Sequence, residues 1–277
     1  MSDFVLILGA TSSIARHSAA AFARRGRPLF LAARNSTELE RMAADLRIRY
    51  GVAVACAHFD AEDYASHEPF FAEVLERTDG LAGVLLAFGH LGEQEQSARD
   101  FTACEQTIAR NFTGAVSILN LCANYFERRA RGDMGKAGEA GGTGKSGEGA
   151  GAQSVRPRDG GRAFIVAVSS VAGDVGRQSN YIYGAAKGGL NVYLQGLRNR
   201  LHAAGARVVT VKPGFVDTPM IYGRHGLFLV ARPEDVGERV ARSALRGAEV
   251  VYVPGFWRFV MLALRLTPEA LRKRLKL

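Results

Sequence analysis

Seven short apolar runs with helical patterns between them constrain the fold of this chain more than any other feature. They occupy residues 4–8, 29–33, 52–58, 84–88, 163–168, 207–211 and 250–253. After the second run, Leu39, Met42 and Leu46 share one helical face, entered from Ser36 as the candidate cap. Strands that alternate with helices imply an α/β, doubly wound fold, a parallel sheet covered on both faces. Its ligand site is expected at the carboxyl ends of the strands. Hydrophobic residues make up 47% of the 277 residues, enough for a buried core, and no break in composition separates two domains.

The first run feeds a turn of small residues, Gly9-Ala10-Thr11-Ser12-Ser13-Ile14-Ala15, and then a helical pattern from about Ser13. Free N–H groups and the positive end of the helix dipole make such a junction a place for the phosphates of a dinucleotide. The same string also suits an ordinary strand-to-helix turn. The second informative string is VAVSSVAGDVGRQSNYIYGAAKGGL, residues 166–190. Tyr183 and Lys187 are four apart, so a helix puts them on one face, about 5–6 Å between Cβ atoms. Ser170 follows the fifth apolar run. An alcohol, a phenol and an ammonium together can polarise a carbonyl and protonate its oxygen. A neighbouring cation favours the ionised phenol, bringing its proton exchange towards neutral pH.

These residues resemble the short-chain dehydrogenase/reductase family, in the family's order and over nearly the whole chain. Gly9, Thr11, Ser12, Ser13 and Ile14 match its glycine-rich loop, with Ser13 and Ala15 where glycines are usual. Asp60 matches the acidic residue beside adenine, and Phe88-Gly89 falls at the Asn-Asn-Ala-Gly segment. Asn111, Ser170, Tyr183 and Lys187 match the catalytic tetrad. Pro213, Gly214, Val216 and Thr218 match the segment at the nicotinamide end. The resemblance implies a single Rossmann-type domain with a seven-stranded parallel sheet and an NAD(P)-dependent oxidoreductase. In it Ser170 binds the substrate carbonyl, Tyr183 donates the proton, Lys187 holds the nicotinamide ribose, and Asn111 holds a water on the proton path. The family commonly forms dimers or tetramers through the helices that carry Asn111 and Tyr183.

The second strand ends Ala-Ala-Arg-Asn, without the carboxylate that typically binds the ribose 2′-hydroxyl. Arg34 suits a 2′-phosphate, which favours NADPH over NADH; a plain surface arginine is the other reading. Residues 86–94, with the opening loop, are similar to decaprenylphosphoryl-2-keto-ribose reductases. That similarity implies reduction of a keto-sugar on a polyprenyl phosphate, alongside an oxidase partner. Met220, Ile221, Leu227, Phe228, Leu229 and Val230 could line an apolar cleft or pack on the sheet.

Two segments depart from the domain of residues 1–255. Residues 132–161 are Gly-rich with scattered Lys and Glu, too poor in apolar surface to offset their ordering entropy, and read as a surface insertion. Residues 256–277 mix Phe256, Trp257 and Phe259 with Arg258, Arg265, Arg272, Lys273, Arg274 and Lys276. This tail is expected to be an amphipathic basic helix, lying on an anionic membrane surface or docked on a partner subunit. The formal net charge of +9 suits the first reading. No nucleic-acid-binding module accompanies that charge. Cys56, Cys104 and Cys122 lack paired spacing and the six histidines form no cluster, which argues against disulfides and a metal site. The start resembles no signal peptide and no apolar stretch reaches membrane-spanning length, so a cytoplasmic protein is expected, at most peripheral to the membrane. Three functions fit. They are a reductase of an apolar or lipid-linked ketone, a ketone or 3-ketoacyl reductase of a soluble substrate, and a nucleotide-binding scaffold without turnover.

Overall fold

The computed structural model describes residues 3–133, 162–223 and 229–274. The seven apolar runs form seven strands: β1 (Phe4–Leu8), β2 (Leu29–Ala33), β3 (Val54–His58), β4 (Leu81–Leu86), β5 (Phe164–Val168), β6 (Arg207–Pro213) and β7 (Val250–Val253). They pair in parallel in the order β3-β2-β1-β4-β5-β6-β7. The helices are α1 (Ser13–Ala23), α2 (Ser36–Tyr50), α3 (His67–Glu76), α4 (Gln94–Arg99), α5 (Phe101–Ile108), α6 (Gly114–Arg131), α7 (Tyr181–His202), α8 (Pro233–Arg246), α9 (Trp257–Leu266) and α10 (Glu269–Arg272).

Alternation along each strand assigns side chains to two cores. Val5, Ile7, Leu29, Leu31, Val166 and Val209 face the layer of α1, α2 and α8, where Phe22, Leu39 and Val240 pack. Leu6, Leu8, Phe30, Val84, Ile165 and Val208 face the opposite layer, against Phe71, Ile118, Phe126 and Leu194. Both faces of the sheet are therefore apolar, as a parallel sheet covered by crossover helices requires. Strand order reverses between β1 and β4, and the loops that follow these two strands diverge above their carboxyl ends. That is the crevice in which open α/β sheets hold ligands.

Some boundaries differ from the sequence expectation, each for a local reason. Strand β4 starts at Leu81 rather than at residue 84, because Leu81, Ala82 and Gly83 are as buried as the large residues after them. Helix α2 is capped by Asn35, not Ser36. Asn35 is extended, and its Oδ1 accepts from the Glu38 amide at 3.0 Å while Ser36 is already helical. Helix α6 closes on Gly132 at φ +73°, and residues 134–161, most of the expected insertion, lie outside the described residues.

One side of the tail docks on its own chain. Trp257 and Met261 of α9 are buried against Val171 and Val175 of this same chain, with Phe215 edge-on to Trp257 at 5.8 Å. Burial stabilises the docked helix by about 1.5–3 kcal/mol for each large apolar side chain. The aromatic side of the helix thus completes the core, while Phe259, Leu262 and Leu266 face outwards. Lys276 lies outside the described residues. Among the described residues no helix is long and apolar enough to cross a membrane, and no group of His, Cys, Asp and Glu could hold a metal ion.

Candidate active site

A cleft of about 580 Å³ opens above the carboxyl ends of the strands. Its floor at β1 is the small-residue turn. Gly9 has φ +77°, and a Cβ there would lie 2.6 Å from the Phe88 amide nitrogen, so both the bend and the close approach to the β4 loop demand glycine. Ser12 caps α1, accepting from the Ala15 amide at 3.3 Å and donating to the Ala87 carbonyl at 3.1 Å, which ties the two loops together. Ser13 opens α1 and Ala15 is fully buried beneath it, so neither departure from glycine obstructs the cradle.

Every expected cofactor residue lines this cleft: Gly9, Thr11, Ser12, Ser13, Ile14, Arg34, Asp60, Phe88, Gly89, Tyr183, Lys187, Pro213, Gly214, Val216 and Thr218. Ser170 joins them. Arg34 is exposed at the end of β2 and has no ion-pair partner among the described residues, whereas nearby Arg16 is tied to Glu38 at 2.9 Å. Asp60 opens the loop after β3, its Oδ1 accepting from the Glu62 amide at 3.1 Å. Of the expected apolar wall, Met220 and Ile221 line the cleft; Leu229 and Val230 are exposed outside it, and Leu227 and Phe228 fall outside the described residues.

Ser170 follows β5, and its Oγ accepts from the Ala172 amide at 3.1 Å. The turn that carries it is pinned from below. Asn191 of α7 donates to the Gly173 carbonyl at 3.1 Å and accepts from Ser169 Oγ at 2.7 Å. Asp174, almost fully buried, accepts from Lys212 Nζ at 2.5 Å and from the Tyr252 hydroxyl at 2.7 Å. Tyr183 and Lys187 come from the first two turns of α7, with the Lys187 nitrogen 5.8 Å from the Tyr183 ring centre. Lys187 is 2% exposed; its nitrogen donates to the Val168 carbonyl at 3.2 Å and lies 3.3 Å from where a Cβ on Gly89 would sit.

Burial decides the protonation of this pair. It pushes the Tyr183 phenol up to about 12, opposed by the Ser170 hydroxyl and by the charge of Arg177. It pulls the Lys187 ammonium down to about 8. The sequence expectation was the reverse for Tyr183, with Lys187 lowering it. Desolvation disfavours both charged forms and, at Tyr183, outweighs the Ser170 hydrogen bond and the charge of Arg177. Tyr183 is therefore a proton carrier at neutral pH, suited to giving a proton to a substrate oxygen.

Asn111 alone of the expected site residues stays out of the cleft. It is 1% exposed in a π-helical turn, Ala109–Thr113, between α5 and α6. Its Nδ2 donates to the carbonyls of His90 at 2.6 Å and Thr107 at 2.7 Å, and its Oδ1 accepts from the His90 amide at 3.1 Å. The side chain fixes the loop after β4, with both amide hydrogens taken by carbonyls. Sequence reasoning also missed Arg110, paired at 2.5 Å with Glu62 on the cleft wall, and Arg177. The spacing of Arg177, six residues before the tyrosine of YxxxK, was the available signal.

The geometry has its counterpart in known proteins. The family model of short chain dehydrogenases matches residues 3–135 and 150–224. The chain belongs to the short-chain dehydrogenase family. An uncharacterized oxidoreductase of Streptomyces coelicolor is 34% identical to this dehydrogenase over 98% of the chain and 95% of its own length. An uncharacterized oxidoreductase of Mycobacterium tuberculosis is 32% identical over 98% and 96%. A short-chain dehydrogenase from Sphingobium yanoikuyae, solved in complex with NADPH, superimposes with a TM-score of 0.74 at 24% identity, covering 95% of this chain and 93% of that one. The dehydrogenase is thus an NAD(P)-dependent oxidoreductase with the fold its sequence implies. These near-full-length relatives are described only as oxidoreductases, not as keto-ribose reductases, so membership of the family holds without the narrower subgroup.

Proposed function

We propose that this dehydrogenase uses NADPH to reduce a ketone to a secondary alcohol. The observation that carries the reading is the convergence of Ser170, Tyr183 and Lys187 on one cleft with the small-residue turn of α1 and Arg34. The nucleotide, when bound, supplies the hydride. The α1 turn, with its open amides and capped helix end, would hold the pyrophosphate, and Lys187 the ribose beside the nicotinamide. Arg34, exposed and without an ion-pair partner among the described residues, would hold a 2′-phosphate, which supports NADPH over NADH. Ser170 orients the substrate carbonyl. Tyr183, kept protonated by burial, gives its proton to the carbonyl oxygen as charge builds there. Asn111 acts at one remove, holding the His90 backbone and with it the Phe88-Gly89 wall.

Met220 and Ile221 give the substrate end an apolar wall, which supports a substrate with an apolar body. A keto-sugar on a polyprenyl phosphate is one such substrate, and it rests on the resemblance of residues 86–94 and the opening loop. We read residues 1–255 as the nucleotide-binding and catalytic unit, with α9 docked on it. The outward Phe259, Leu262 and Leu266 leave a surface for a membrane or a second subunit. The test is NADPH oxidation against a panel of ketones. Turnover should fall by about 10² to 10⁴-fold in Tyr183→Phe with NADPH affinity unchanged. A Tyr183→Phe protein as fast as wild type would sink the assignment.

A further inference from the structure

Resting on the reductase reading, we propose that Asp174 is a positioning residue: with Lys212 it fixes Ser170 relative to the nicotinamide-end loop that begins at Pro213. Ser170, Pro213 and Gly214 all line the cleft, at the ends of the adjacent strands β5 and β6. Ser170 and Asp174 are the two caps of one 3₁₀ turn, Val171–Gly173, and Lys212 immediately precedes Pro213. The 2.5 Å ion pair of Asp174 Oδ1 with Lys212 Nζ therefore joins the two loops directly. Asp174 Oδ2 accepts from the Tyr252 hydroxyl at 2.7 Å, which carries the tie to β7. There the Val253 carbonyl accepts from the Gly214 amide at 3.0 Å. On the other side the turn rests on α7. Asn191 holds the Gly173 carbonyl, and a Cβ on Gly173 would lie 2.6 Å from the Lys187 carbonyl carbon.

Stability does not account for such a pair. The Asp174 side chain is 3% exposed and that of Lys212 11%. Taking two charges out of water costs about as much as their attraction returns, and apolar residues of the same volume often hold a fold as well. What a buried pair does provide is one geometry, because removing either partner strands the other's charge. The ion pair of Arg129 with Asp3 is buried to a similar degree, but it ties the amino ends of β1 and β4, away from the cleft. Asp174 and Lys212 sit at the carboxyl ends, where the substrate carbonyl would meet the hydride. A misplacement of about 1 Å between reacting groups can cost about 10²-fold in rate. The α1 turn and Arg34, which would hold the nucleotide, lie at β1 and β2, on the far side of β4. The tie therefore bears on turnover and not on nucleotide affinity.

The experiment is a double-mutant cycle against Ser170. Asp174→Asn, Lys212→Met, their combination and Tyr252→Phe are each made in wild type and in Ser170→Ala. NADPH oxidation is followed with 2-decanone and with 4-methylcyclohexanone, beside calorimetric NADPH affinity and thermal denaturation. Asp174→Asn and Lys212→Met should each lower kcat by about 10 to 10²-fold and leave NADPH affinity within about threefold. In Ser170→Ala the same substitutions should lower kcat by less than about twofold, because the group they position is already gone. The combined variant strands no charge, so it should melt within about 3 °C of wild type and still keep the loss in kcat. Tyr252→Phe leaves the ion pair in place, so it folds even where Asp174→Asn does not; it should lose about two- to fivefold, again only while Ser170 is present. The proposal is overturned if the losses are equal with and without Ser170, if the combined variant regains wild-type kcat, or if Lys212→Met and Tyr252→Phe turn over like wild type. Each of these would make the pair a structural element only. A wild type that oxidises NADPH with neither ketone, or a Tyr183→Phe protein as fast as wild type, would strike the reductase reading itself and the proposal with it.

Discussion

The two ends of the cleft are built on different principles. At the nucleotide end the backbone does the work: a turn that only glycine can make, a capped helix, and a serine bridging the loops after β1 and β4. At the substrate end side chains do the work: Ser170, Tyr183 and Lys187 line the cleft, and Met220 and Ile221 of the loop after β6 form its wall. A shared cofactor needs an invariant cradle, which pairing and close packing provide. A particular substrate needs side chains that can vary without disturbing the backbone. The contrast teaches where to look for specificity in this fold.

The largest effect that would break the contrast is expected at Gly9. Gly9→Val puts a branched side chain at φ +77° against the Phe88 backbone, a backbone strain of about 1–3 kcal/mol before the clash itself. Thermal denaturation should show a marked loss of stability and calorimetry no NADPH binding. Wild-type affinity in that variant would mean the loop is no cradle. A smaller effect sharpens the nucleotide end. Arg34→Ala should raise the NADPH dissociation constant by about 10 to 10²-fold, the worth of a charge-assisted pair, and leave NADH within about threefold. Equal loss for both nucleotides would remove the 2′-phosphate contact.

How much of this was legible in the sequence follows the same division. The seven apolar runs and the 3.6-residue pattern of Leu39, Met42 and Leu46 announced the strands and helices, because a sheet buried on both faces must be written in continuous apolar runs. The cleft residues were legible for a related reason, since they lie at strand ends and in the first turns of helices. The tail was not. Phe256, Trp257 and Phe259 read as a side for a membrane or a partner subunit, but Trp257 packs with Val171, Val175 and Phe215 of this chain, distant in sequence. The hold of Asn111 on the loop after β4 was not legible either, because the residue type does not reveal that its amide meets His90 and Thr107. The Tyr183 proton affinity failed because spacing reports a neighbouring cation but not the desolvation that overrides it.

The most direct test of the central claim, that Tyr183 is the proton carrier, is the pH dependence of turnover in both directions. Burial raises the phenol above its ordinary value, to about 12, so it stays protonated below that and its ionised form grows about tenfold per pH unit. From about pH 6 to about pH 8, at or below the values for both Tyr183 and Lys187, ketone reduction should be flat, while alcohol oxidation should climb about tenfold per unit. Reduction that falls through this window with a midpoint near neutrality, or an oxidation profile unaltered in Tyr183→Phe, would contradict the account.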